Sequence, residues 1–261
     1  YVARKLRADG KGYYTIGSAG HEGNAVVAAQ LRLTDPCFLH YRSGAFFVER
    51  ARQRPGSDVV ADVIRSLCAK ASDPAAGGRH KVFGSKDLWI PPQTSTIASH
   101  LPKAMGAAFM LAHAIRVDVA HNLARDSIVV ARFGDASLNH STAQGAINAV
   151  RHAAFRGLPM PMLLICEDNG IGISTPTTPG WIEALLDDDN MAPIRYAVAD
   201  GLNILEAWEP IGEALDWCRR NRAPVFLHLR CVRLLGHAGS DVELGYRRVD
   251  EIEATESQDP L

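Results

Sequence analysis

The sequence predicts a three-layer α/β/α fold on a parallel sheet, and three observations carry that prediction. Residues 128–133 and 162–166 are short, nearly all-apolar runs, the pattern of strands covered on both faces. Between them Ala143, Ala146, Ile147, Val150, Ala153 and Ala154 recur at helical spacing, until Pro159 and Pro161 stop the helix. Further on, strand-like runs at 195–198 and 224–231 enclose a helical stretch at 204–221, so strands and helices alternate. With 261 residues, 47% hydrophobic content and a net charge of −1, the chain reads as one domain spanning 1–261 with a large core. That balance lacks the basic footprint of a nucleic-acid binder, and no apolar run is long enough to suggest a membrane span. Cys37, Cys68, Cys166, Cys218 and Cys231 sit mostly in apolar runs without close pairing, which points to reduced thiols and a reducing compartment.

In chain order, residues 1–12 are basic and polar and form a peripheral helix or arm. Ser18-Ala19-Gly20-His21-Glu22 opens a helix running to residue 33, with Ala25, Val26, Ala28, Ala29 and Leu33 on its apolar side, and Thr34-Asp35-Pro36 ends it. His21 at such a helix start reads most simply as a cap or dipole neighbour, and only the family resemblance described below implies substrate binding as the alternative. Residues 37–40 make a short strand, and at its end Tyr41 and Arg42 offer a hydroxyl and a guanidinium fork suited to a diphosphate, although a surface Arg beside a packed Tyr would look the same. Ser43-Gly44 and residues 45–48 are expected to lead into the substrate side of a pocket. Residues 58–71 are amphipathic and helical, 72–78 form a loop, and Arg79-His80-Lys81 faces either solvent or the cleft. Residues 93–102 precede a helix at 103–115 whose Ala and Gly content suits close packing. Residues 181–186 make a short helix, and Asp187-Asp188-Asp189 reads as solvated surface.

Strand, helix and strand in this order form a right-handed crossover, which brings the C-terminal ends of both strands to one sheet edge. Gly134-Asp135 stands at one of those ends and Asp168-Asn169-Gly170 at the other, so Asp135 and Asn169 can converge. Two hard oxygen ligands suit Mg²⁺ completed by phosphate and water, and the crevice outside strand ends is where α/β sheets receive phosphorylated ligands. A capping Asp135 and a plain Asp168-Asn169-Gly170 turn would account for the same residues. On side-chain chemistry alone the two readings stay open.

Gly134-Asp135 followed, after a helix and a strand, by Asp168-Asn169-Gly170 resembles the thiamine diphosphate motif, whose usual form is Gly-Asp-Gly and then Asn-Asn. The continuation Ile171-Gly172-Ile173-Ser174-Thr175-Pro176-Thr177 narrows the resemblance to the alpha subunits of 2-oxo acid dehydrogenases, and it extends through nearly all of the chain. This resemblance implies thiamine diphosphate and Mg²⁺ as cofactors. The implied metal ligands are the Asp135 and Asn169 side chains and the backbone carbonyl of Ile171. Tyr41 and Arg42 match the family's diphosphate-binding pair, Ser95 and Ile97 stand where backbone touches the aminopyrimidine ring, and Ala136 and Ser137 complete the cofactor contacts. The last motif, Leu234 to Asp241 followed by Tyr246-Arg247, makes His237 the implied residue for organising the diphosphate and moving a proton near the cofactor. Ala238 replaces the serine that mitochondrial relatives phosphorylate, so no such control is expected.

Three departures qualify the match. Ala136 replaces the motif's second glycine and would hinder it if positive φ were needed there. Asp168 replaces the first Asn. A monovalent cation held in branched-chain relatives has Ser95, Ser99 and His100 in its places, with His for Gln.

The activity implied is oxidative decarboxylation of a 2-oxo acid, branched-chain ahead of pyruvate, with the acyl unit passed to a lipoyl group on an acyltransferase. A beta subunit, separate or fused, would provide the glutamate facing the aminopyrimidine ring. An acetoin-cleaving relative and a non-catalytic scaffold with a drifted motif are the alternatives. A cytoplasmic location is expected, or the mitochondrial matrix should a targeting segment precede Tyr1.

Overall fold

The computed structural model describes residues 2–79, 82–117, 123–186 and 193–261. The elements in chain order are α1 (Val2–Ala8), α2 (Asn24–Gln30), β1 (Cys37–Phe38), α3 (Gly44–Arg52), α4 (Val59–Leu67), α5 (Leu101–Arg116), β2 (Val129–Gly134), α6 (Ser141–Phe155), β3 (Met162–Asp168), β4 (Ile171–Gly172), β5 (Thr175–Pro176), α7 (Trp181–Leu185), β6 (Arg195–Asp200), α8 (Ile204–Asn221), β7 (Val225–Arg230) and α9 (Val249–Glu256). Five strands form one sheet in the order β1-β2-β3-β7-β6, every neighbouring pair parallel. The fold class read from the sequence is the one observed.

Alternation along the strands builds the three layers. Leu163 and Ile165 of β3 join Val130, Val225, Leu227 and Leu229 in a core covered by α2, α3 and α8. Met162, Leu164 and Cys166 face the other way, with Val129, Ala131 and Phe133, onto α5 and α6. Each Val, Leu, Ile, Phe or Met side chain among them stabilises the fold by about 1.5–3 kcal/mol through burial. On α6 the buried positions are Ala143, Ala146, Ile147, Val150 and Ala153, while Ala154 of the expected set is half-buried, and His140 caps the helix by accepting from the Thr142 amide.

Three segments differ from expectation. The helix expected from residue 18 begins only at Asn24, after a run of turns in which Gly20 and Gly23 press against the chain leaving β7 and β6. Gly20 has φ +89°, and a Cβ on it would lie 2.1 Å from the Val232 carbonyl oxygen; one on Gly23 would lie 2.2 Å from the Gly201 carbonyl oxygen. Residues 45–48 belong to α3, and Phe46 and Phe47 are core residues rather than pocket wall. The motif loop after β3 folds as a two-strand hairpin, β4 with β5, which the sequence did not reveal. All five cysteines are free; four are buried and Cys68, at the end of α4, is half-buried. No helix among the described residues is long and apolar enough to cross a membrane. His80 and the acidic run 187–189 lie outside the described residues.

Candidate active site

Parallel pairing of β2 with β3 sets Gly134 opposite Glu167, so the chain leaves the sheet at Asp135 and at Asp168 side by side. Both exits open on a cleft of about 300 Å³. Tyr41, Arg42, Ser95, Ile97, Asp135, Ala136, Ser137, Asn169, Ile171 and His237 all line it, joined by His21 and His40. The residues expected to contact thiamine diphosphate or Mg²⁺ are thus brought to one place, whereas Ser99 and His100 of the cation pattern do not line it.

A buried charged chain supports the floor. Arg132 of β2 donates through Nε to Glu167 Oε1 at 2.8 Å and makes a second, shorter contact through its terminal nitrogen. Both residues are fully buried. His21 Nδ1 donates to Glu167 Oε2 at 2.6 Å, which leaves Nε2 as acceptor for the Asn169 side-chain amide at 3.1 Å. That contact fixes the amide's rotation and turns Asn169 Oδ1 away from His21, where it accepts from the Ile171 amide at 3.2 Å. His40 Nε2 approaches Glu167 Oε1 to 3.0 Å outside hydrogen-bond geometry, a close electrostatic contact. Burial alone would raise the Glu167 pKa, but Arg132 and the two histidines outweigh it and hold the carboxyl well below its ordinary range. Burial lowers the His21 pKa, against the pull of Glu167. Neither Glu167 nor Arg132 was singled out from the sequence. The available signal was Arg132 inside the apolar strand VVARFG and Glu167 beside Asp168 at the end of the apolar run in MLLICED.

Asp135 accepts from the Thr177 hydroxyl at 2.7 Å, and Thr177 reaches it because the β4–β5 hairpin closes through Thr177 N–H donating to the Gly170 carbonyl at 3.0 Å. Burial, reinforced by the adjoining Asp168 carboxylate, pushes the Asp135 pKa up to about 6. Burial also opposes ionisation of Asp168, yet hydrogen bonds from His228 and the Gly170 amide prevail and hold it below the usual carboxylate range. The donors to Asp135 are neutral, Thr177 and the Ala136 amide, so a buried carboxylate faces a second carboxylate without a cationic side chain bonded to it among the described residues. Asp135, the Asn169 amide oxygen and a backbone carbonyl make a hard-oxygen donor set, and the Asp168 carboxylate behind them adds negative charge, which fits a divalent cation of the Mg²⁺ kind.

Ala136 lies in a 3₁₀ segment, Asp135–Asn139, and is not among the residues with positive φ, so the glycine it replaces is not required by the backbone here. Its methyl group instead fills the space over Gly172, where an added Cβ would lie 2.7 Å away.

On the opposite wall, Arg42 donates to the Gly17 carbonyl at 2.7 Å and to the His237 carbonyl at 3.0 Å, and its guanidinium lies 5.3 Å from the Tyr41 ring centre. His237 is held by its amide to Asp241 at 2.6 Å, and Asp241 is held in turn by the Tyr246 hydroxyl, to which Arg233 donates at 2.8 Å. Burial, then Arg42 and Arg233, lower the His237 pKa, favouring neutral imidazole at neutral pH. His100 donates from Nε2 to the Arg132 carbonyl at 2.6 Å, and Ser99 donates to the Thr96 carbonyl, so both of these residues from the cation pattern have partners in the fold. An apolar hollow of about 270 Å³ adjoins the cleft, shares Tyr14, Ile16, Tyr41 and Ser95 with it, and is walled by Val63, Leu67, Val82 and Phe83.

The sequence model of the Dehydrogenase E1 component family matches residues 2–261. The chain belongs to that family. Among its dehydrogenase E1 relatives, the mouse 2-oxoisovalerate dehydrogenase subunit alpha, mitochondrial, is 26% identical over 265 residues, covering 99% of this chain and 54% of that protein. The 2-oxoisovalerate dehydrogenase subunit alpha of Bacillus subtilis is 28% identical over 207 residues, 77% of this chain and 57% of that protein. A third, subunit alpha 2 from Arabidopsis thaliana, is 28% identical over 234 residues, 88% of this chain and 45% of that protein. The chain spans about half the length of the curated relatives it matches.

Proposed function

We propose that this dehydrogenase E1 chain is the alpha half of a thiamine diphosphate- and Mg²⁺-dependent 2-oxo acid dehydrogenase acting on branched-chain substrates. The observation that carries the reading is the convergence of Asp135, Asn169, Ile171, Tyr41, Arg42 and His237 on one cleft at the ends of β2 and β3. In it, Asp135, Asn169 Oδ1 and the Ile171 carbonyl hold the metal, and Asn169 is aimed by His21. Arg42 and the Tyr41 hydroxyl bind the diphosphate, and Ser95 and Ile97 present backbone to the aminopyrimidine ring. Ala136 and Ser137 offer short side chains where the cofactor passes close to the chain. When bound, the cofactor supplies the nucleophile and electron sink for decarboxylation. His237, kept neutral, can hold or accept a proton beside the reacting carbon. The apolar hollow gives an uncharged acyl group a place out of water, favouring branched-chain acids over pyruvate.

A beta subunit, separate or fused, contributes the glutamate for the aminopyrimidine, and a lipoyl-bearing acyltransferase takes the acyl unit. Five free thiols fit a reducing compartment, cytoplasm or mitochondrial matrix. Calorimetric titration with thiamine diphosphate, with and without Mg²⁺ and with a beta-type partner, tests the reading. Mg²⁺-dependent binding lost in Asp135→Ala and Asn169→Ala is the expected result. Absence of binding with the partner present overturns it.

A further inference from the structure

We propose that Tyr196, His228 and Asp168 form a positioning unit for the metal end of the cleft. The unit rests on the cofactor reading above and adds residues to which that reading gives no part. Asp168 is the last residue of β3, and β7 and β6 lie next in the sheet. From those strands, His228 Nε2 stands 2.9 Å from Asp168 Oδ2, and His228 Nδ1 stands 2.9 Å from the Tyr196 hydroxyl. The acceptor-only carboxylate assigns the proton to Nε2, so the hydroxyl of Tyr196 donates to Nδ1. Glu183 is the other charged group near this ring, 3.7 Å from Nδ1. The second oxygen of Asp168 accepts from the Gly170 amide at 3.1 Å, and its backbone carbonyl accepts from the Cys231 amide at 2.7 Å.

Asp168 therefore has both carboxylate oxygens engaged and acts on the metal through its neighbours. The first neighbour is Asn169, whose place in the turn is set by the Asp168–Gly170 contact. The second is Asp135, whose carboxyl adjoins that of Asp168. An amide in place of Asp168, as in the resembled motif, would bring no second charge; the carboxylate deepens the negative potential that attracts a divalent cation. His228 holds that carboxylate in place, a hydrogen bond that orients a group behind the ligands. Loss of such a partner lowers metal affinity by about 10–100-fold.

The test measures metal binding without turnover: Mn²⁺ titration followed by electron paramagnetic resonance on the full chain with thiamine diphosphate and a beta-type partner. His228→Gln is expected to weaken Mn²⁺ binding about tenfold. Asp168→Asn is expected to weaken it as well, and in that background His228→Gln should add less than about twofold, since the carboxylate charge that His228 holds in place is already gone. Thermal unfolding of the metal-free variants is followed in parallel. An equal effect of His228→Gln in both backgrounds, or one that tracks loss of thermal stability, overturns the positioning unit while leaving the cofactor reading intact. Failure of the unsubstituted chain to bind Mn²⁺ overturns both.

Discussion

Glu167 concentrates the energetics of the site in a single side chain. It is fully buried and touches Arg132, His21 and His40, so Glu167→Gln would leave Arg132 buried without its counter-charge. Breaking such a pair costs about 3–5 kcal/mol, and urea unfolding of the variant should register a loss of that order. His100 governs a separate response to acid. Burial lowers its pKa from 6.5 to about 4 in the folded chain. A folded pKa below the unfolded one means that its stabilising contribution is complete above pH 6.5 and is lost as the pH falls toward 4. The loss reaches about 3 kcal/mol at full extent. His100→Gln should flatten the fall in urea midpoint across that interval. At this scale the sequence was legible where a residue stands at a strand end: the crossover brought Asp135 and Asn169 together, and the family resemblance decided their role and that of Tyr41 and Arg42. Glu167 and Arg132 were not, since each charge stands out in its own strand but the partner that lets it be buried depends on the register pairing β2 with β3, which is not written in either strand alone.

Among the elements, strands and long helices followed from periodicity, and 204–221 matches α8 to the residue. Short apolar runs did not. Ala45-Phe46-Phe47-Val48 carries the same letters whether it lines a pocket or forms half of a helix, and only contact with Phe83 and the rest of that core tells them apart. The β4–β5 hairpin was equally hidden, being two residues per strand. Its fit against the 3₁₀ segment is tight, because an added Cβ on Gly172 would lie 2.7 Å from that of Ala136. Gly172→Ala should cost about 1–3 kcal/mol by overpacking, and Ala136→Gly in the same chain should recover most of it by returning the space. Paired thermal melts of the single and double variants check this compensation. A deletion in the central strand supplies the contrast: Leu164→Ala, in the fully buried middle of β3, should cost about 2–5 kcal/mol, whereas Val198→Ala on the edge strand, 54% exposed, should stay within about 0.5 kcal/mol.

On the proposed function, the whole molecule presents a cleft whose metal end is built from this chain and whose aminopyrimidine end needs a glutamate from elsewhere. Thiamine diphosphate should consequently bind more tightly when a beta-type partner is present than to the chain alone, a difference that calorimetry of the two preparations would read as at least about tenfold, or 1.4 kcal/mol. The fold class could be read in advance because every strand and helix repeats the same apolar logic; what lies between subunits could not, since half of such a surface belongs to another sequence. The distribution of thiols has a practical use at this scale. Burial raises the pKa of Cys37 to about 11 and of Cys218 to about 12, and puts Cys166 and Cys231 well above the ordinary value. Cys68 is the one left within reach of solvent, at the end of the helix whose Val63 and Leu67 wall the apolar hollow. A maleimide dye added to the native chain would find a single address, and its fluorescence would watch that hollow fill without any engineered cysteine.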